Sequence, residues 1–174
     1  FIGALSGMSS PQAVAAIMAK GLAPATLTVV QLFHVSGLYA QLLTTLRGGR
    51  RLVFMHRWDP AQALQIIRDE KITQFSAAPA MVQQLMQVAG FDPAASAASL
   101  GGVGFGGSGL PQGLIDQVLA RFPHSMSGIG FGMTESNGVG AAASGTVFEA
   151  HPSAAGVVSP LIELRVADLD GRAL

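Results

Sequence analysis

The apolar positions of this chain change period repeatedly along its length. From Thr26 to Leu32 the run Thr-Leu-Thr-Val-Val-Gln-Leu is short, β-branched and apolar, which predicts a buried strand. After Gly37 the spacing becomes helical from Leu38 to Leu46, and Gly48-Gly49 stops it. Arg51 to Met55 reads as a second strand, and Asp59-Pro60 supplies a helix cap followed by proline in the first turn, opening a helix to about Glu70. The alternation continues with a strand from Thr73 to Ser76 and a helix from Ala80 to Val88. A strand from Val103 to Phe105 runs into glycines, Pro111 opens a helix to Arg121, and Ser127 to Phe131 is another strand. Beyond it come small residues (Asn137 to Gly145) and two further strands, Ala155 to Val158 and Leu161 to Val166, which predict a hairpin-like tail. Pro11 to Met18 is a candidate helix in a first segment that is otherwise hard to place.

Strand and helix in alternation predict an α/β fold: a parallel sheet with helical crossovers in βαβ repeats, followed by a short C-terminal β-rich segment. The expected division is residues 1–150 as one α/β subdomain and 151–174 as the start of the β-rich segment. In such sheets ligands gather at the carboxyl ends of the strands, and two glycine-rich turns fall at predicted strand ends.

Composition narrows the function classes. Hydrophobic residues make up 49% of the 174 and charged residues 11%, enough apolar material for one substantial core. Ten basic and ten acidic side chains leave no formal net charge, and the scattered cations offer no face for nucleic acid. The sequence has no cysteine, which excludes disulfides and thiolate chemistry and is consistent with a reducing, cytoplasmic setting. No apolar run reaches the ~18 residues of a membrane span. The opening Phe1-Ile-Gly-Ala-Leu and the closing Asp170-Gly-Arg-Ala-Leu174 read as the ends of a piece cut from a longer chain.

Three clusters carry candidate chemistry. Phe131-Gly132-Met133-Thr134-Glu135 follows the approach Met126-Ser-Gly-Ile-Gly130 and puts a π-face, an uncovered backbone, a hydroxyl and a carboxylate in one turn. Such a set suits a nucleotide, with a ring to stack on, a hydroxyl for phosphate and an acid for Mg²⁺. A strand end and helix cap with a solvated Glu135 would look the same. Gly104-Phe-Gly-Gly-Ser-Gly109 formally satisfies G-x-G-x-x-G between strand and helix, and its glycines would admit phosphate or a flat ring. It lacks the acidic residue a dinucleotide site needs at the end of the next strand, so an NAD(P)-dependent oxidoreductase stands only as an alternative, beside a plain packed turn. Leu32-Phe-His-Val-Ser-Gly37 places a lone His34 at a strand exit, where a hydrogen-bonded structural histidine is the ordinary case. His34, His56, His124 and His151 have no metal-binding spacing.

In order and spacing these blocks resemble the adenylate-forming superfamily, in particular the acyl-CoA synthetases related to 4-coumarate- and fatty-acid-CoA ligases. The resemblance rests on Phe33 to Gly37 as F-H-x-x-G, Trp58-Asp59-Pro60 within the strand–loop–helix Arg51 to Arg68, and Thr73 to Pro79. It continues through Gly106-Gly107-Ser108-Gly109-Leu110, Phe131 to Glu135, and Ser153 to Gly156 with the strand Glu163 to Arg172 and its D-G-R turn. It implies ATP-dependent activation of a carboxylic acid, with a hydrophobic body, as acyl-AMP with release of pyrophosphate, then transfer to coenzyme A. By the same resemblance Phe131 stacks on adenine and Gly106, Gly107, Ser108 and Gly109 line its other face. Thr134 bonds the α-phosphate, Glu135 ligates Mg²⁺, and His34 borders the acyl pocket where the thiol enters. Gly130, Gly132 and Met133 complete the nucleotide turn, the two glycines keeping the backbone close to the acyl group. The sequence departs from the family in three parts: it has no Lys-ending phosphate loop, no T-G-D, and no small C-terminal domain with a catalytic Lys. Phe131 replaces the common Tyr, and Gln31 stands where Pro usually precedes Leu-Phe-His. The expectation is therefore a piece that is inactive alone; a non-catalytic nucleotide- or acyl-binding module is a further alternative.

Overall fold

The computed structural model describes residues 15, 18–123, 125–138 and 140–174, so the helix expected from Pro11 to Met18, and His124, lie wholly or largely outside the described residues. Seven strands form one sheet in the order β2-β1-β3-β4-β5-β6-β7. They are β1 (Ala25–Thr28), β2 (Arg51–Phe54), β3 (Gln74–Ala77), β4 (Val103–Gly106), β5 (Gly128–Phe131), β6 (Ala141–Ser144) and β7 (Val157–Val158). The first five pair in parallel, as the alternating pattern predicts. The strands β5, β6 and β7 pair antiparallel.

Chain order and spatial order reverse at β1. Its crossover to β2 runs through α1 (Ser36–Leu43) and α2 (Thr44–Arg47), while the chain then returns to the other side of β1 to form β3. Helices α3 (Pro60–Asp69), α4 (Pro79–Met86) and α5 (Gln112–Arg121) make the next three crossovers, and α6 (Thr146–Ala150) follows β6. A gap between β1 and β3 opens at such a reversal, outside the carboxyl ends of the strands.

Alternation of side chains gives the sheet two unlike faces. Leu27, Phe75 and Val103 form one register row, and Ala77, Phe105, Ile129 and Ala143 the next. These rows bury against Ala63, Leu64 and Ile67 of α3, Val82, Leu85 and Met86 of α4, Leu114 and Val118 of α5, and Phe148 of α6. Phe75, itself 1% exposed, stacks on Trp58 with ring centroids 6.1 Å apart. The opposite face carries Ser76, Gly104, Gly128 and Ser144 in one row and Gly106, Gly130 and Ala142 in the next. Among the described residues α1 and α2 are tied to that side, by the Thr45 hydroxyl donating to Thr26 Oγ1 (3.2 Å) and Gln41 Nε2 donating to the Ser76 carbonyl (2.9 Å).

Local chemistry sets the element ends. Asp59 caps α3 as expected, accepting from the Gln62 amide at 2.8 Å, with Pro60 in the first turn. Helix α1 is wider than an α-helix: the Thr44 amide reaches back five residues to Tyr39 O, a π-type bond.

Three expectations change. The strand Thr26 to Leu32 ends at Thr28, because the Gln31 carbonyl accepts from the His34 amide at 3.1 Å and turns the chain. The small residues Ala141 to Ser144 form a strand, since with no bulk they lie close against glycine-rich β5. Leu161 to Val166 forms no strand: Pro160 removes a donor beside β7, and Leu161, Leu164 and Val166 stay exposed with no ladder partner among the described residues. The hairpin-like tail reduces to one bridge, Ala167 to Ala173, around a turn in which the Asp168 carboxylate accepts from the Asp170 and Arg172 amides. No helix among the described residues is long and apolar enough to cross a membrane.

Candidate active site

The carboxyl ends of β1, β3, β4 and β5 bring the expected residues to one rim of the sheet. Gly106 ends β4 and lies in register with Gly130 of β5, so two backbones meet there with no side chain between them. A Cβ on Gly106 would meet only Gly130 O, at 3.5 Å, and one on Gly130 only Phe105 O, at 3.9 Å. Gly107 turns the chain with φ +84°, a conformation that favours glycine, and Gly107, Ser108 and Gly109 are exposed above the strand end. Gly104 has a different role, because the space a Cβ would take is filled by Ser76 Oγ. The G-x-G-x-x-G pattern is thus part packing and part open loop.

Phe131, 44% exposed, ends β5. The next residues close a compact turn: Thr134–Ser136 is one turn of 3₁₀ helix, Ser136 Oγ donates to Met133 O at 3.2 Å, and the Gly138 amide donates to Met133 O at 2.8 Å. Asn137 takes the left-handed conformation at φ +52° that lets the turn reverse. Met133, not Thr134, holds the cap position of this turn. Thr134 and Glu135 are exposed, and Glu135 has no ion pair or hydrogen bond among the described residues. Gly132 is required sterically, as any Cβ there would collide with the Gly138 carbonyl.

His34 is exposed on the loop after β1. The Ser36 amide donates to its Nδ1 at 3.2 Å and Ser36 Oγ lies 2.7 Å from the same atom. With Nδ1 accepting from the Ser36 amide, Nε2 is the ring nitrogen that carries the proton. Gly37 lets this loop fold back on itself, since a Cβ would strike the Gln31 carbonyl. Val35, buried beside His34, fills the space next to Gly138, 3.0 Å from where a Cβ would stand. That contact joins the His34 loop to the Thr134–Glu135 turn, two segments a hundred residues apart in the chain.

Several contributors carry no motif in the sequence. Val35 and Gly138 form the joint just described, and Gly140 gives room to the Phe131 carbonyl and ring. Gln41 reaches Ser76 from α1 and is 5% exposed. The available signals were a lone amide four residues after Gly37 on an apolar helix, and a run of small residues facing glycine-rich β5.

Chemically the rim offers an uncovered backbone, an exposed aromatic face, a hydroxyl and a single free carboxylate. No group of three or more His, Asp or Glu side chains able to hold a metal occurs among the described residues. One hard oxygen donor in the open fits Mg²⁺ that keeps its waters and shares the oxygens of a bound phosphate. It does not fit a cation caged by protein alone.

Residues 6–174 match the family described as AMP-binding enzyme. The chain is 30% identical over 152 residues to 4-coumarate–CoA ligase 3 of Arabidopsis thaliana, covering 84% of this chain and 26% of that one. It is 32% identical over 148 residues to 4-coumarate–CoA ligase 1 of Solanum tuberosum, covering 82% and 26%. It therefore spans about a quarter of the length of these relatives. Its fold matches o-succinylbenzoate CoA synthetase of Bacillus subtilis, solved with an acyl-adenylate intermediate, at TM-score 0.73 and 23% identity, over 94% of this chain and 32% of that one. It also matches a fatty acyl CoA synthetase of Mycobacterium tuberculosis at TM-score 0.71 and 24% identity, over 87% and 29%. A dinucleotide-binding oxidoreductase gains no support from these likenesses, and by the match over nearly its whole length the chain belongs to the family of AMP-binding enzymes.

Proposed function

We propose that this chain is the central nucleotide- and acid-binding part of an ATP-dependent acid–CoA ligase. In this reading residues 1–150 form the α/β subdomain of the site and residues 151–174 begin a β-rich segment. The observation that carries the reading is the convergence at one rim of the bare Gly106–Gly130 contact, the exposed Phe131 ring and the unpaired Glu135 carboxylate. The family match and the ligase names of the relatives support it.

The acid's carboxylate oxygen attacks the α-phosphorus of ATP; a P–O bond forms, the bond to the β-phosphate bridge breaks, and pyrophosphate leaves. The thiol of coenzyme A then attacks the acyl carbon, giving up its proton, and AMP leaves from the acyl carbon. A carboxylate is already a nucleophile at neutral pH, so the protein supplies orientation and charge stabilisation. Phe131 stacks on adenine, while Gly106, Gly107, Ser108 and Gly109 let the ring and ribose lie against backbone. Gly130 and Gly132 keep the strand end close to the acyl group, Met133 flanks it, and Thr134 donates to an α-phosphate oxygen. Glu135 would hold Mg²⁺, which when bound neutralises phosphate charge. His34 borders the acid's pocket on the side where the thiol arrives.

The test is Glu135→Ala in the full-length protein that carries this chain, measured as carboxylate-dependent exchange of pyrophosphate into ATP. We expect a loss of at least about 100-fold, and undiminished exchange would overturn the reading. A non-catalytic binding module would show no such exchange even unmutated.

A further inference from the structure

The reaction proposed above needs two segments to meet that lie far apart in the chain. Thr134 and Glu135 serve the step at phosphorus, and His34 stands where the thiol must reach the acyl carbon. Each segment is tied together within itself. In the turn, the Asn137 amide donates to Thr134 O at 3.0 Å and the Gly138 amide to Met133 O at 2.8 Å. In the His34 loop, the Gly37 and Leu38 amides donate to His34 O at 3.0 and 2.9 Å, and Ser36 holds the ring at Nδ1. Among the described residues no hydrogen bond crosses from one segment to the other.

Packing crosses instead. Val35, 9% exposed, puts its Cγ2 and Cγ1 against Gly138, 3.0 and 3.5 Å from where a Cβ would stand. Gly138, at φ +73°, lies in turn against Gly132, whose missing Cβ leaves room for the Gly138 carbonyl. Val35 is held from behind: it stands at the N-cap position of α1, and Gln41 Nε2 anchors that helix to the Ser76 carbonyl of β3. Close-packed groups have little slack, so this joint sets the distance between loop and turn.

The two half-reactions depend on the joint unequally. The turn continues directly from β5 and has its own hydrogen bonds, which keep Thr134 and Glu135 beside the Gly106–Gly130 rim without Val35. No such bond fixes His34 relative to the turn. We infer that Val35 is a positioning residue for the second half-reaction. Through Gly138 it holds the His34 loop at the distance from the acyl-adenylate at which the thiol meets the acyl carbon. This rests on the proposed acid activation and transfer to coenzyme A.

The experiment uses the full-length protein with cinnamic and octanoic acids as probes. Pyrophosphate exchange reads the first half-reaction, and single-turnover thioester formation from preformed acyl-adenylate and coenzyme A reads the second. Val35→Ala removes both γ-carbons; we expect thioester formation to fall by about 10-fold or more and exchange to change by less than about 3-fold. Val35→Ile keeps both γ-carbons and should stay within about 3-fold of the unmutated protein in both steps. Gly138→Ala added to Val35→Ala puts a methyl into the vacated space and should recover at least about 3-fold of the lost thioester rate. Equal loss in both steps, loss in neither, or a double variant no faster than Val35→Ala would overturn the inference alone. Exchange without thioester formation by the unmutated protein would overturn it together with the transfer step of the proposed function. Exchange with neither acid would overturn the proposed function as a whole, and this inference with it.

Discussion

Phe75 and Ser76 are consecutive residues of β3 that face opposite sides of the sheet, and they show how differently its two faces are built. Phe75 packs among Leu27, Val103 and Trp58, and four helices close over that side. Ser76 has Gly104 beside it in register and the Gln41 carboxamide bonded to its carbonyl. The first face holds most of the volume the chain can bury. The second face gives up that volume: across β4 and β5 it presents glycine at Gly104, Gly106, Gly128 and Gly130. Burial of apolar area is the main stabilising term in folding, so a face without side chains is a cost to stability. A face of that kind persists where something else needs the space or the close approach to backbone. Stability and ligand binding are thus divided between two sides of one layer.

Removing bulk from the first face should have the largest effect. Phe75→Ala deletes a fully buried ring and its stacking on Trp58, and we expect a loss of about 3–5 kcal/mol in chemical denaturation. A loss below about 1 kcal/mol would mean that the rim, and not this core, sets stability.

Adding bulk to the second face should have a smaller and more diagnostic effect. A Cβ at Gly104 collides first with Ser76 Oγ, a side chain and not backbone. Gly104→Ala should therefore cost about 1–3 kcal/mol. In a Ser76→Gly background the same change should cost less, with a coupling of about 1 kcal/mol in the double-mutant cycle. Strict additivity of the two would show that the glycine serves the ligand alone and that packing against Ser76 is incidental.

The difference between the faces also explains what the sequence disclosed. Elements with a local cause were legible: Asp59-Pro60 marks the start of α3 because a carboxylate and a proline satisfy the helix end without help from elsewhere. The parallel order of β1 to β5 followed from the alternation of periods, since helices must cross between parallel strands. The glycine turns lie at strand ends as the pattern predicts: β4 ends at Gly106, before Gly107 turns the chain at φ +84°, and β5 ends at Phe131, before Gly132. Long-range partners were not legible. Ala141 to Ser144 has no strand signature of its own and pairs only because β5 is equally bare. The joint between Val35 and Gly138 and the anchor from Gln41 to Ser76 are tertiary contacts between segments whose spacing carries no signal. Leu161 to Val166 has the composition of a strand and forms no ladder among the described residues, with Pro160 beside β7 lacking a donor.

Charge on the solvent side of α3, outside the core face, should matter least. Arg68 Nε donates to the Asp69 carboxylate at 2.8 Å, and that bond, with the attraction between the charges, holds the Asp69 carboxyl below the usual carboxylate range. A carboxyl whose pKa is depressed by folding adds stability above its unfolded pKa and loses it as pH falls through the folded value. The window for this pair lies below pH about 4. Both groups are in solvent, so at neutral pH Arg68→Gln should leave the denaturation midpoint unchanged within error while the Asp69 titration, followed by NMR, moves upward. A clear loss of stability at neutral pH would place part of the fold's support in its charged outer layer, and the contrast between an apolar supporting face and a bare binding face would no longer account for stability by itself.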